Sequence, residues 1–487
     1  MQLVEKNFLA QNQRNQNLIQ KARGRVEDFY RLRSAGLLCK SGDFFPSVHY
    51  PPITMYPPIT EEELFQSYKV PKDGVFDVYA HIPFCRQRCV FCHYPVKLGE
   101  NQIEEKNIYL DALEKEMDIY MKRLGVDKIK ARSILIGGGT PTFLTLDQLK
   151  RFLDFFTDKV DVSDCTQFNY DVDPLTLIDN DGLKRLEIMK SYGVNRVTIG
   201  TQSLDDNILQ KMNRHHNAAQ AIESIKNCQD LGYIVNIEFI FGYPGQTLEN
   251  WIEVMDSAVA LDVEEIQLYR LKVEAYGDYQ GPIKGAKEKG MMGLPSIEET
   301  LMMKQIAIDI LAENGYHENL RRVYSRERKN YSHYADNQCC GLLDQLGFGL
   351  TAFSSLRDRF VLNSQDFHEY YSSIEAGKMP LNRGYIRTPE EQMRWSIILP
   401  LKNRKVWKSY FKEVSGGYDL ESVFQQKISN LKEWGLLVED EESIELTKLG
   451  AFFADEIAQQ FHHIDFIPFP RDAYEDGILS PYNHNGV

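Results

Sequence analysis

The stretch that decides the fold lies at residues 79–94 and reads Tyr79-Ala-His-Ile-Pro-Phe-Cys85-Arg-Gln-Arg-Cys89-Val-Phe-Cys92-His-Tyr94. It leaves the first predicted strand and enters a loop, where functional side chains concentrate. The cysteine spacing is C-x3-C-x2-C. In a chain of 487 residues with eight cysteines, such a cluster indicates a metal centre or a catalytic site rather than a disulfide framework.

Three cysteines without a fourth nearby leave two readings of the metal. A [4Fe–4S] cluster normally takes four thiolates, so three of them would leave one iron open to bind a small molecule. A structural zinc site needs four closed ligands, for which His93 or His81 would have to be the fourth. From the residues alone both readings stand.

Short apolar runs alternate with amphipathic segments downstream of residue 74, which predicts βα units and a parallel sheet. We expect a partial (β/α)6 TIM-like barrel with its chemistry at the carboxyl ends of the strands. A doubly wound open sheet is the alternative. The predicted strands are 76–82, 133–136, 168–172, 196–200, 234–241 and 265–272, and the predicted helices are 103–124, 145–159, 179–192, 217–231 and 248–261.

The flanking regions predict a three-part chain. Residues 1–70 form an N-terminal extension with a helix at 12–33 and a stretch rich in Pro and Tyr at 49–60, which excludes regular helix. Residues 71–290 form the central barrel, and residues 291–487 form a C-terminal region. This region begins with a helix at 297–315 and ends in a small winged-helix-like α+β domain at 419–460.

The composition of the chain disfavours two classes of binding partner. The formal net charge of −14 disfavours a nucleic-acid or anionic-membrane binder, since both ligands attract clustered Lys and Arg. The polar start contains no secretory signal and no apolar stretch is long enough to span a membrane, so we expect a cytoplasmic protein. Cys39, Cys165 and Cys228 are scattered, which is typical of buried structural residues.

A glycine run, Gly137-Gly138-Gly139-Thr140-Pro141, follows the second predicted strand. Consecutive glycines let the backbone approach a ligand closely, although a tight turn without any ligand contact would show the same sequence. Its place at the end of a strand next to the cysteine loop makes it a candidate ligand contact.

The cysteine stretch and four later segments together resemble the radical S-adenosylmethionine (SAM) superfamily, and more closely its oxygen-independent coproporphyrinogen III oxidase-like (HemN-like) family. The later segments are Gly-Gly-Gly-Thr-Pro-Thr142, Gly200-Thr-Gln-Ser203, Gly242-Tyr-Pro-Gly-Gln-Thr247 and Leu346-Gly-Phe-Gly-Leu-Thr-Ala-Phe-Ser354, with Leu446-Thr-Lys-Leu-Gly450 as a C-terminal signature. The resemblance covers residues 48 to 455. It implies an enzyme that cleaves SAM at a [4Fe–4S] cluster.

The resemblance also implies the roles of individual residues. Cys85, Cys89 and Cys92 would hold the cluster. The remaining predicted contacts are all with SAM, of which one or two molecules would bind. Tyr79 and Phe91 would flank SAM, Gly138, Gly139 and Thr140 would hold its methionine end, and Gln202 and Arg214 would bind its ribose and carboxylate. Asp171 and Glu238 occupy two further contact positions, where the family usually has Glu and Asp respectively. A flavodoxin or ferredoxin would supply electrons.

The sequence departs from the true oxidases at one point. Where they continue as Cys-Gly-Cys after the third cysteine, this chain has Cys92-His93-Tyr94. The expected substrate is a tetrapyrrole, and the alternatives are a methyltransferase or cyclopropanase acting on a small aromatic molecule and a non-catalytic heme chaperone. His93 is either a proton donor or a loop residue. The pair Cys339-Cys340 either serves radical chemistry or is simply buried, and Arg86, Arg88, Arg321 and Arg322 could pair with substrate carboxylates.

Overall fold

The computed structural model describes residues 2–100, 102–274, 279–290 and 293–483. Six parallel strands form the centre of the molecule, as the alternation predicts. They are β1 (Val75–Ile82), β2 (Ile129–Gly138), β3 (Gln167–Val172), β4 (Arg196–Gln202), β5 (Ile234–Phe241) and β6 (Glu265–Arg270). The helices between them are Ile103–Leu124, Leu146–Lys159, Asn180–Ser191, Asp206–Lys211, Ala218–Asp230 and Leu248–Ala260.

The order of these strands in the sheet decides between the two predicted folds. Each strand pairs in parallel with the next one along the chain, from β1 to β6. A doubly wound sheet would reverse direction at a switch point, whereas a barrel winds one way. The structure therefore confirms a partial barrel, and its strands are largely buried because helices cover the outer face.

The sheet continues beyond the six strands at both edges. Next to β1 lies a seventh parallel strand, Gln345–Phe348, followed by three antiparallel strands. Next to β6 lies an antiparallel pair. The added strands are Phe353–Leu356, Arg359–Asn363 and Leu381–Ile386 at one edge, and Val323–Ser325 and His317–Leu320 at the other. Chain segments from the C-terminal region thus wall the open side of the barrel.

The N-terminal region consists of a long helix and an extended segment. The helix Gln2–Ser34 packs on the helix Ile297–Glu313, and Lys21 forms an ion pair with Asp309 at 2.7 Å. Residues 49–60 contain only one short 3-10 turn, as their four prolines predict. Thr60 then caps the helix Glu61–Phe65, with a reciprocal hydrogen bond between its backbone and Glu63.

A small domain with a three-stranded antiparallel sheet ends the described chain, and its helix and strand order matches the predicted winged-helix-like arrangement. The strands are Lys405–Trp407, Leu437–Glu439 and Ser443–Leu446, and the main helices are Pro389–Lys402, Lys408–Val414 and Leu420–Glu433. Its core is separate from that of the barrel and includes Phe29 and Leu32 of the N-terminal helix. Within the described residues, no helix has the length and apolar character needed to cross a membrane.

Candidate active site

The three cysteines of the loop after β1 line one pocket of about 270 Å³ at the carboxyl ends of β1 to β5; we call it the cysteine pocket. Two of their sulfur atoms have polar neighbours. Thr140 Oγ1 donates to Cys85 Sγ at 3.4 Å, and Arg214 Nη1 donates to Cys89 Sγ at 3.4 Å. Burial raises the pKa of Cys85 to about 12 and also raises that of Cys92, so a metal centre must displace these protons when it binds.

The glycine run after β2 is shaped by the cysteine loop. A Cβ atom on Gly139 would lie 2.7 Å from the carbonyl oxygen of Phe84 and 2.8 Å from Cys85 Sγ. Gly138 has a φ of 122°, a conformation that favours glycine. Both glycines and Thr140 line the cysteine pocket. The run therefore brings backbone against the cysteine loop and leaves the pocket wall without side chains at that point.

Gln202 and Arg214 both line the cysteine pocket. Arg214 donates to Asp173 Oδ2 at 2.9 Å and to the carbonyl of Gly200 at 2.7 Å. Its Nε is buried without a hydrogen-bond partner among the described residues. The same Gly200 lies beneath both side chains, since a Cβ there would be 3.2 Å from Gln202 Nε2 and 3.6 Å from Arg214 Nη2. A planar donor group with spare capacity thus faces the pocket.

Asp171 and Glu238 also line the cysteine pocket. Asn169 donates to Asp171 at 3.1 Å, and the Tyr269 hydroxyl donates to Glu238 at 3.2 Å. Burial, with a smaller contribution from Glu238, raises the pKa of Asp171 to about 8, and burial raises the pKa of Glu238. These two carboxyl groups, on β3 and β5, disfavour each other's charge, and a cationic or hydrogen-donating ligand relieves that cost.

Tyr79 and Phe91 differ in position. Phe91 lines the cysteine pocket and packs on an apolar cluster that includes Met212 and Tyr243. Tyr79 lies behind the wall, where its hydroxyl is 2.7 Å from His81 Nδ1. Its ring stacks loosely on Phe353, with the centroids 6.5 Å apart. The structure thus brings all the predicted residues except Tyr79 onto the wall of one pocket.

The two candidate histidines of a zinc site are both engaged elsewhere. Besides the contact of its Nδ1 with Tyr79, His81 has its Nε2 3.4 Å from Thr351 Oγ1. His93 Nδ1 accepts from the backbone of Gly281 at 2.7 Å, and its Nε2 is 3.1 Å from the carbonyl of Lys272. Both nitrogens of each ring are used, so neither histidine is a free fourth ligand. His93 instead ties the cysteine loop to the segment after β6.

A second cavity, of about 310 Å³, adjoins the first; we call it the aromatic chamber. Asp171, Thr198 and Glu238 line both cavities and form their common wall. The chamber collects residues that are far apart in the chain, and sequence reasoning named few of them. Its main ring-bearing and thiol side chains are His49, Tyr50, Tyr269, Tyr334, Cys339, Phe353, Phe360 and Trp395.

The four arginines considered for substrate carboxylates divide into two pairs. Arg86 and Arg88 line the cysteine pocket. Arg321 forms an ion pair with Asp455, and the Arg322 guanidinium lies over the Tyr269 ring at 5.1 Å from its centroid. Arg322 is therefore close to an aromatic wall of the chamber, while Arg321 is already paired.

Comparisons with known proteins agree with this geometry. The sequence matches the Radical SAM superfamily over residues 79–258. It is 28% identical to the heme chaperone HemW of Bacillus subtilis over 390 residues, which covers 79% of this chain and 98% of that protein. It is 25% identical to the oxygen-independent coproporphyrinogen III oxidase of Helicobacter pylori over 404 residues, 79% of this chain and 85% of that protein.

A solved structure has the same fold. The coproporphyrinogen III oxidase HemN from Escherichia coli aligns with a TM-score of 0.71 at 23% identity, covering 84% of this chain and 96% of that one. Residues 79–258 therefore carry the sequence pattern of the Radical SAM superfamily. The cofactors of the chain are a [4Fe–4S] cluster and SAM. The pocket has three thiols for the cluster, although among the described residues they are not gathered into a ready metal-binding group, and an open glycine wall and an arginine with an unpaired donor for SAM. Beyond the superfamily match, the chain resembles HemN-like proteins in sequence and in fold.

Proposed function

We propose that this protein is an enzyme that cleaves SAM reductively and starts radical chemistry on an organic substrate held in the aromatic chamber. The observation that carries the proposal is the common wall. Asp171, Thr198 and Glu238 line both cavities, so a reactive centre in the cysteine pocket would lie next to the chamber. When bound, the cluster and SAM supply a carbon-centred radical able to abstract a hydrogen atom, while the protein binds, orients and shields.

The residues of the cysteine pocket take the following proposed roles. Cys85, Cys89 and Cys92 ligate the cluster. Gly138, Gly139 and Thr140 face the methionine end of SAM, and Arg214 pairs with its carboxylate, for which a guanidinium fork is well suited. Gln202, Asp171 and Glu238 hydrogen-bond its ribose hydroxyls or amino group, and Phe91 packs near the adenine. Tyr79 acts from behind the wall by fixing the position of His81.

A tetrapyrrole is the first candidate substrate. It is supported by the oxygen-independent coproporphyrinogen III oxidases among the relatives and by the aromatic walls of the chamber. Two buried arginines line the chamber: Arg196, which is paired with Glu265, and Arg387, which is the proposed partner of a substrate carboxylate. Reduced flavodoxin or ferredoxin is the proposed electron donor. The free state of all eight cysteines supports a reducing compartment such as the cytoplasm.

The chamber volume favours a second candidate. About 310 Å³ is at the lower end of the range of about 300–1,000 Å³ that small-molecule sites occupy. A four-ring substrate would need room that residues 48–50 of the N-terminal segment now fill. A single-ring aromatic substrate fits without that movement, which supports the methyltransferase or cyclopropanase alternative. A carrier role remains the third candidate, supported by the match to HemW.

The test is anaerobic turnover. The protein is reconstituted with iron and sulfide, reduced with dithionite, and incubated with SAM alone, with coproporphyrinogen III, or with heme. We expect 5′-deoxyadenosine from the wild type and none from Cys92→Ala. Conversion of coproporphyrinogen III or heme would establish the tetrapyrrole class. Tight heme binding without any 5′-deoxyadenosine or methylated product, despite a full cluster, would replace the enzyme with the carrier.

A further inference from the structure

The adjacent cysteines 339 and 340 lie at the end of a short helix, His333–Cys339, and their side chains have different surroundings. Cys339 lines the aromatic chamber, together with Tyr334, Ala335 and Gln338 of the same helix. Cys340 packs on the apolar cluster of Leu320, Val323 and Tyr331, and its thiol hydrogen-bonds Asp336. One thiol of the pair thus faces the chamber and the other does not.

The helix is fixed against the barrel by a buried carboxylate. Asp77 on β1 accepts hydrogen bonds from Asn337 and Gln338, each at 2.9 Å, and from Ser133 at 2.6 Å. The start of the helix is also anchored, since the backbone of Ser332 donates to Glu265 at 3.0 Å. Because both ends are held, Cys339 occupies a defined position on the chamber wall.

A further observation indicates that a ligand meets this wall. Gln345 lines the same chamber, is fully buried, and has its side-chain oxygen without a hydrogen-bond partner among the described residues. A ligand that donates a hydrogen bond to this oxygen would remove the free-energy cost of leaving a buried polar atom unpaired. Tyr334 connects the thiol to the common wall. Burial raises the pKa of its phenol, and both Cys339 and Asp171 are close enough to add to the effect.

We propose that Cys339 is a hydrogen-atom donor that ends radical turnover in the aromatic chamber. An S–H bond is weaker than an alkyl C–H bond, so a carbon-centred radical beside Cys339 takes its hydrogen atom. The S–H bond breaks, a C–H bond forms, and a sulfur radical remains. One electron, from the same class of low-potential donor that reduces the cluster, and one proton then restore the thiol.

The inference rests on the proposed radical chemistry and makes it more specific. A substrate radical that receives a hydrogen atom gives a reduced or rearranged product. Oxidation of the same radical would give an alkene, such as the vinyl group expected from decarboxylation of a propionate. Cys339 therefore favours a reaction in which hydrogen is removed from the substrate and then returned. With no substrate present, the radical derived from SAM itself would be quenched by the same thiol.

The test uses the full chain with its cluster, SAM alone, dithionite as reductant, no added thiol, and deuterium oxide as solvent. Cysteine thiols exchange with solvent and carry deuterium, whereas carbon-bound hydrogens of the protein do not. We expect most of the 5′-deoxyadenosine from the wild type to contain one solvent deuterium, as measured by mass spectrometry. In Cys339→Ala and Cys339→Ser the deuterated fraction should fall to background, because neither side chain has a weak bond to hydrogen. Cys340→Ala is the matched control and should keep the wild-type fraction.

The outcomes separate the two proposals. If neither the wild type nor any variant makes 5′-deoxyadenosine, the proposed function is wrong. If 5′-deoxyadenosine forms but its deuterium content is at background in the wild type, or is the same in Cys339→Ala, the hydrogen-donor role is wrong. A second measurement does not depend on turnover. Iodoacetamide should label Cys339 in the folded wild type faster than Cys340, and equal or reversed rates would contradict the placement of Cys339 on the chamber wall.

Discussion

The cysteine pocket and the aromatic chamber share a wall but are built in different ways. The pocket is lined by loops that directly follow β1 to β4, and nearly all of its residues fall in short local motifs between residues 85 and 238. The chamber takes residues from the N-terminal segment, the sheet, the helix His333–Cys339 and the helix Pro389–Lys402. Cofactor chemistry in this fold is thus encoded locally, while substrate chemistry depends on contacts between distant segments.

The largest effect should come from removing a ligand of the cysteine pocket. In Cys92→Ala we expect loss of the reconstituted cluster and a fall of 5′-deoxyadenosine formation to the detection limit, because two thiols cannot hold a cluster that normally takes four. Iron content and visible absorbance measure the first effect, and product analysis measures the second. Cys165→Ala, which removes a thiol whose nearest acceptor is the carbonyl of Gln167, should keep both. Equal cluster content in the two variants would break the assignment of the pocket.

A smaller effect is expected from replacing Arg214, whose guanidinium lies in the cysteine pocket beside Cys89. Arg214→Ala should weaken SAM binding about ten- to hundredfold, since a hydrogen bond to a charged group contributes about 1.5–3 kcal/mol. Calorimetric titration of the cluster-loaded protein measures the change. Arg214→Lys keeps the charge but loses the fork, and we expect an intermediate affinity. Unchanged affinity in both variants would show that the carboxylate of SAM binds elsewhere.

The common wall should make stability depend on pH. The pKa of Asp171 is about 8 in the ligand-free protein against an ordinary value near 3.8. Between these values the unfolded chain is ionised at this residue and the native chain still binds the proton, so the free energy of unfolding falls as pH rises and the loss is complete above pH 8. In Asp171→Asn the free energy of unfolding should fall less between pH 5 and pH 8 than in the wild type, with a difference of at most about 4 kcal/mol. Chemical denaturation of both proteins at pH 5 and pH 8, without ligand, measures the change. If the free energy of unfolding of Asp171→Asn depends on pH as steeply as that of the wild type, the prediction is wrong.

The smallest effect on SAM should come from the chamber. Phe353→Leu removes an aromatic face that packs on Phe360, with ring centroids 5.0 Å apart. We expect SAM affinity to change by less than about 0.5 kcal/mol, because Phe353 lines the chamber and not the cysteine pocket and is not part of their common wall. Binding of a tetrapyrrole probe such as heme should weaken by about 0.5–1.5 kcal/mol through the lost ring contact. An equal loss for both ligands would mean that the two cavities form one site.

Sequence reasoning recovered the parts of this molecule that local patterns determine. The six strands and five of the six helices between them followed from periodicity, whereas the short helix Asp206–Lys211 was not predicted. The edge strands next to β1 and β6 were not predicted, since nothing in Gln345–Phe348 indicates that it pairs with a strand 270 residues earlier. Likewise, the contacts of His93 with Gly281 and Lys272 could not be read from the spacing of the cysteines. For the chamber, the sequence singled out Asp171, Glu238, Cys339 and the segment 346–354 with Phe353, but it did not show that these residues line one cavity.

The shared carboxylates of Asp171 and Glu238 have a thermodynamic consequence. A ligand in either cavity changes the charge and solvation of the same two groups, and therefore changes the free energy with which the other cavity binds its own ligand. Such coupling is reciprocal: whatever factor the substrate applies to the affinity for SAM, SAM must apply to the affinity for the substrate. Occupancy of the chamber would thus be communicated to the cofactor through two side chains, without a moving domain.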